Sequence, residues 1–139
     1  MTNQNEFNRK LIEEFRATRG SADGPYAKRP ILLLTTIGAK SAQRRTTPMM
    51  YVREGGRLLV IASNAGAVKH PDWYRNLVAH PSVTVEIGAE TYAAHAQVVE
   101  GADRQGLWEK IVQQYPFFGE HQTKIDRRIP VIELIQDTD

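Results

Sequence analysis

Hydrophobic positions follow two periods along the chain. Near the start, Phe7, Leu11 and Phe15 recur every four residues, with Arg9, Lys10, Glu13, Glu14 and Arg16 between them. That spacing places one apolar stripe on a helix over Phe7–Arg16, about 5–17 with its flanks. Such a stripe packs on the domain's own core, closes over a ligand as a lid, or rests on a membrane surface. Further on the period shortens. Ile31–Ile37 is apolar and β-branched, as expected of a buried strand. Thr46–Arg53, Leu58–Ser63, Val83–Ile87, Thr91–Glu100 and Pro130–Ile135 read as five more strands. Pro71–Ala79 and Ala102–Tyr115 return to helical spacing, and Pro116–Arg128 reads as helical or irregular.

The connections between these elements decide the fold class. Glu54-Gly55-Gly56-Arg57 and Gly88-Ala89-Glu90 are tight-turn sequences, and strands joined by such turns pair antiparallel. Gly20–Pro30 and Asn64–Val68 read as loops, and Gly38–Arg45 as a polar, basic turn. Successive strands lack regular helical crossovers, so a doubly wound parallel sheet is disfavoured. About six mostly antiparallel strands with flanking helices point to an α+β fold, a closed or partly closed barrel.

Length and composition narrow the picture further. The 139 residues suit one domain, spanning 1–139. A domain of this size hides roughly 68–70% of its unfolded surface and folds without covalent staples. Cysteine is absent, which excludes disulfides, thiolate metal sites and a cysteine nucleophile. The polar start (Met1–Lys10) lacks a signal peptide's apolar core, and no apolar run approaches the ~20 residues of a membrane span. The expected location is the cytoplasm, with the first helix as the candidate for a loose membrane contact. A net charge of +2 is too small to argue for nucleic acid.

Three stretches could carry chemistry. Gly38–Pro48 gathers Lys40, Arg44 and Arg45 with Ser41, Thr46 and Thr47 in a turn between strands. Backbone amides, hydroxyls and guanidinium forks of this kind suit a phosphate, though a solvated loop has the same composition. Ala62–Leu77 places small residues after a strand and then opens a helix. A flat ring could approach that backbone closely, and free amides at the helix start could meet an anion. Trp73 there could stack on a ring or fill the core. Tyr115, Phe118 and His121, at three-residue intervals, could line one pocket wall or form a satellite hydrophobic cluster. No two of the four histidines stand at i, i+4, so no metal site is expected. Walker A, Rossmann and nucleophile-elbow patterns are also missing.

These stretches fall in a recognisable order: TTIGAKSAQRRTTPMMYV (35–52), IASNAGAVKHPDWYRNL (61–77), VTVEIG (83–88) and LWEKIVQQYPFFGEHQTKIDRRIPVIEL (107–134). The chain resembles the deazaflavin-dependent nitroreductase family, whose members use coenzyme F-420, from about Ile31 to Leu134. The resemblance implies a split β-barrel and hydride transfer from reduced coenzyme F-420 to a small acceptor such as a quinone, an activated alkene or a nitro compound. It implies that Lys40, Ser41, Arg44 and Arg45 hold the coenzyme's phosphate and acidic tail. Pro48, Met49 and Met50 would lie along the coenzyme. Ser63, Asn64, Ala65, Gly66 and Ala67 would border the ring, supported by His70, Pro71, Trp73 and Asn76. Tyr115 and Tyr51 are the candidate proton donors, with Phe15, Tyr115, Phe118 and His121 facing the acceptor.

The sequence departs from the family in places. Ser41-Ala42 stands where Ser-Gly is usual, and Ala65 precedes Gly66 where paired glycines are common. Asn64 stands where some members carry lysine. Phe118 and His121 replace tyrosines of the nitroimidazole-reducing members. The rival readings are a flavin-mononucleotide split-barrel oxidoreductase, a non-catalytic cofactor carrier and a nucleic-acid interaction domain, the last not expected. A monomer and a homodimer both remain open.

Overall fold

The computed structural model describes residues 2–18 and 30–137, with residues 2–7, 18 and 65 described by backbone alone. The expected loop at Gly20–Pro30 therefore lies, up to Pro30, outside the described residues. Helix α1 (Thr2–Thr18) comes first. Six strands follow: β1 (Ile31–Ile37), β2 (Arg44–Glu54), β3 (Arg57–Ile61), β4 (Ser82–Ile87), β5 (Glu90–Val98) and β6 (Val131–Gln136). Helix α2 (Asp72–Ala79) joins β3 to β4. Helices α3 (Gly101–Gln114) and α4 (Pro116–Thr123) join β5 to β6.

All pairings are antiparallel, and the order β1-β2-β3-β6-β5-β4 closes on itself through β1 and β4. The expected α+β barrel of six strands is the one observed. Closure removes the exposed sheet edges that an open sheet would present. At Gly55 (φ 58) and Gly56 (φ 79) both central residues of a two-residue loop are left-handed, the geometry that suits strand twist in a hairpin.

Strand alternation splits the apolar residues into two cores. Leu32, Leu34, Leu58, Val60, Val85, Ile132 and Leu134 point into the barrel. Leu59, Ile61 and Val131, on the opposite face of β3 and β6, pack under α3 and α4 with Leu107, Ile111 and Phe118. Strand β3 is apolar at nearly every position because both of its faces are buried. The two layers are tied by Arg57, which forks onto Asp103 of α3 at 2.9 Å and reaches Glu133 of β6 at 2.8 Å.

The stripe on α1 is used by the protein itself. Leu11 and Phe15 are both buried, and Arg16 at the end of the helix forks onto Glu86 of β4 at 2.8 and 2.9 Å. Those two apolar side chains are covered by the protein's own core and lend no support to a membrane contact. Phe7's side chain lies outside the described residues. Among the described residues, no helix is long and apolar enough to cross a membrane.

Candidate functional site

A cleft of about 920 Å³ opens between α1, the start of β2, the loop after β3 and the start of α2. Arg45, Thr46, Thr47 and Pro48 form one wall. Asn64, Lys69, His70, Pro71, Trp73 and Asn76 form another, and α1 contributes Asn8, Arg9, Ile12, Glu13 and Arg16. Of the residues expected around the coenzyme, Arg45, Pro48, Asn64, His70, Pro71, Trp73 and Asn76 are thus brought together.

The others are placed elsewhere, and strand geometry explains much of it. Arg44 precedes Arg45 on β2, so their side chains leave opposite faces. Arg44 donates to Thr84 Oγ1 on β4 at 3.3 Å and does not line the cleft. Met49 packs against the barrel interior and Met50 against the outer core, so the pair does not run along one surface. Lys40 and Ser41 sit on the exposed turn between β1 and β2. Ser63 is buried, while Gly66 and Ala67 close the 3-10 turn Asn64–Gly66 beneath His121. Ala65's side chain lies outside the described residues.

The four residues expected at the acceptor, and Tyr51, lie off this cleft. Tyr51 packs on the barrel interior with Arg53 5.7 Å from its ring centre. Tyr115 packs edge-on against Phe117 and Phe118, and Phe118 is buried in the outer core. Phe15 is buried beside the β4–β5 turn, in a small hollow with Glu86. His121 is half-buried, with Nδ1 buried and unpartnered.

The turn between β1 and β2 is built for close quarters. Gly38 N–H donates to Gln43 O at 2.8 Å, Ala42 N–H to Gly38 O at 2.9 Å, and Gln43 N–H to Ser41 Oγ at 3.2 Å. A Cβ on Gly38 would collide with Ser41 Oγ, so a side chain there is not tolerated without movement. The turn is pinned from α2. Asn76, 7% exposed, accepts from Ala39 N–H at 3.0 Å and donates to Thr36 Oγ1 at 3.1 Å. With both ends of its amide engaged by the protein, Asn76 ties the basic turn to α2.

The opposite wall is held by a residue that sequence reading passed over. Arg127 donates to the carbonyls of Ala62 (3.2 Å), Ser63 (2.9 Å) and Ala67 (3.1 Å), and its Nη1 lies 3.1 Å from His70 Nδ1. One guanidinium therefore gathers the whole loop after β3. Asn64 (φ 50), a residue type that tolerates the left-handed region, closes the same loop by donating to Lys69 O at 3.0 Å. Burial, together with the charges of Arg127 and Arg75, holds His70 below the usual histidine range, so it is neutral near pH 7.

The cleft is electropositive. Arg9, Arg45 and Lys69 have no carboxylate partner among the described residues, whereas Arg16 is neutralised by Glu86. Glu13 and Asp72 supply the negative charge. Three unpaired cations beside a small-residue loop and the flat faces of Trp73 and Pro48 fit a long, anionic molecule that carries a ring. Sequence reading also missed Lys69 and α1's Arg9. Both stand in segments it had examined for other purposes.

Comparison with known proteins decides the class. The model of the F420H(2)-dependent quinone reductase family matches residues 7–136. The chain belongs to this family. It is an oxidoreductase of the coenzyme F-420-dependent class. An enzyme of the same description from Mycobacterium tuberculosis is 36% identical over 108 residues, covering 76% of this chain and 72% of its own. A solved structure described as an F420-H2 dependent reductase (FDR-A) is 44% identical, with TM-score 0.68, covering 76% of this chain and 94% of that one. A structure described as a domain-swapped dimer is 39% identical, with TM-score 0.70 and coverage of 96% and 98%. A heme storage protein from Vibrio cholerae, at 18% identity and TM-score 0.57, shares the fold alone.

Proposed function

We propose that the cleft between α1, β2 and α2 binds reduced coenzyme F-420 and presents it to a quinone. The observation that carries this is the set of unpaired cations, Arg9, Arg45 and Lys69, lining one cleft with Trp73 and the loop after β3. Arg45 and Lys69 meet the phosphate or acidic tail, where a guanidinium fork and an ammonium supply charge-assisted hydrogen bonds. Arg9 extends the positive surface along α1. Lys40 and Ser41, outside the cleft wall, meet the far end of an acidic tail, while Arg44 turns away onto Thr84. When bound, the coenzyme supplies the hydride, and the protein supplies position and electrostatics.

This chain's own residues do three things in the reading. The carbonyls gathered by Arg127 hold Ser63–Ala67 in the shape that admits a flat ring against backbone. Pro48, Pro71 and Trp73 exclude water from the ring's faces. Asn76 keeps the basic turn against α2. The proton that completes reduction of the acceptor comes from solvent, because Tyr51 and Tyr115 stand off the cleft. Phe118 and His121 act through the packing of α4 under the loop. A homodimer is the assembly we favour, supported by the relative described as a domain-swapped dimer.

The test is anaerobic turnover. Purified protein is mixed with reduced coenzyme F-420 and a soluble quinone such as menadione, and the absorbance of the oxidised coenzyme is followed. Catalysed, saturable reoxidation is expected. No acceleration over the protein-free rate with a panel of quinones would sink the quinone assignment. Turnover with flavin mononucleotide instead would move the protein to the flavin-using barrels.

A further inference from the structure

We infer that Arg127 is a positioning residue that fixes His70 in one neutral tautomer, so that His70 offers a single N–H donor to whatever fills the cleft. The inference concerns the same cleft as the proposed function and rests on that reading only for its kinetic consequence.

The argument is one of donors and acceptors. A guanidinium has N–H groups and no acceptor, so Arg127 Nη1 at 3.1 Å from His70 Nδ1 can only donate to it. The receiving nitrogen must then be bare, and in a neutral imidazole the proton sits on Nε2. His70 lines the cleft, and Nε2 is the ring nitrogen that Arg127 does not engage. The ring is also held by Tyr74, whose centroid is 4.6 Å away. A carbonyl or phosphate oxygen in the cleft meets a donor, and an incoming donor is refused.

Burial and the cations around His70 favour the neutral form. Arg127 reaches it from the segment before β6, and Arg75 faces it from α2; both are cations. Lys69 precedes it in the chain, and Asp72 stands two residues on, at the first turn of α2. Arg127 itself is anchored by three carbonyls, so it cannot swing away to release His70 without freeing the loop. Loop shape and histidine tautomer are therefore set by one side chain.

The experiment uses the full chain with nitrogen-15-labelled histidine and no ligand, read by NMR between about pH 5 and 8. His70 is expected in the Nε2–H form, titrating below the ordinary value of about 6.5. In Arg127→Gln its midpoint rises and both tautomers appear. In Arg127→Lys the charge remains but cannot span the carbonyls, and KM for the reduced coenzyme rises about tenfold with kcat within about twofold. An Nδ1–H signal in the unaltered protein overturns the inference. So does an unchanged KM in Arg127→Lys, or, if Arg127→Gln folds, an unchanged midpoint there. If Arg127→Gln does not fold, the tautomer of the unaltered protein and the lysine variant decide it. Coenzyme binding to the unaltered protein is measured separately. Its failure counts against the proposed function, while the tautomer result, obtained on the free protein, stands by itself.

Discussion

Replacing Asn76 with alanine tests whether the basic turn is held from α2. The side chain makes two hydrogen bonds, to Ala39 N–H and to Thr36 Oγ1. Each contributes about 1 kcal/mol net. Their loss is unequal in consequence. Ala39 is exposed and its N–H can turn to water, whereas Thr36 is 1% exposed and its hydroxyl loses a donor in a buried place. Leaving such a group unsatisfied costs about 1–3 kcal/mol in place of the ordinary 1, so with about 1 kcal/mol for the bond to Ala39 the total loss is about 2–4 kcal/mol. In a chain of this size that lowers Tm by roughly 6–15 °C. Urea unfolding of Asn76→Ala, Thr36→Val and the pair gives the coupling, expected at about 0.5–1.5 kcal/mol for a direct contact. The turn that Asn76 pins carries Lys40 and leads into Arg45, so coenzyme affinity should also fall several-fold. A stability loss below about 0.5 kcal/mol, the range of ordinary surface substitutions, would refute the packing argument. Full coenzyme affinity in a destabilised variant would refute the claim that the turn is positioned for binding.

Three further outcomes follow from the structure. Ala42 sits at φ 59, where an alanine costs about 1–2 kcal/mol. Ala42→Gly relieves that strain against an unfolded-state entropy cost of about 0.4–1 kcal/mol, for a net gain near 0.5–1 kcal/mol in urea unfolding. A loss would show that the turn is not strained. Leu59→Ala should cost about 2–5 kcal/mol, since the side chain is fully buried between β3 and the helices, and calorimetry will read it. Hydrogen bonding from Arg57, aided by its charge, holds Asp103 below the usual carboxylate range, so this pair's contribution is present at neutral pH and is lost in acid as pH falls through the carboxylate's lowered folded pKa. Asp103→Asn should flatten the acid limb of the stability curve, and parallel curves for the two proteins would count against it.

Local pattern carried the elements further than it carried their assembly. Ile31–Ile37 is legible to the residue because both its ends meet turn signals. Strand β2 begins two residues earlier than its apolar pattern suggests, since the exposed Arg44 and Arg45 still pair with Ile37 and Thr36 across the hairpin. The insertion of β6 between β3 and β5 is a long-range pairing with no local signature. The same distinction runs through the site. Trp73, His70 and Arg45 stood out by residue type, but period two along β2 separates Arg44 from Arg45 and Met49 from Met50. Arg127 was passed over because its partners are backbone carbonyls some 60 residues away, and carbonyls are the same in every residue. Asn76 was recognised as part of the wall. Only the register of β1 against α2 shows that both ends of its amide are engaged within the protein.

The central claim is that the cleft's unpaired cations hold coenzyme F-420. Fluorescence titration of the coenzyme against the unaltered protein, Arg45→Ala, Lys69→Ala and Arg44→Ala tests it most directly. The account predicts saturable binding, weakened about tenfold or more by Arg45→Ala and by Lys69→Ala, as the loss of a charge-assisted hydrogen bond requires. Arg44→Ala, whose side chain lies over Thr84, should weaken it less than about threefold. Absence of binding to the unaltered protein, or equal losses from Arg44 and Arg45, would contradict it.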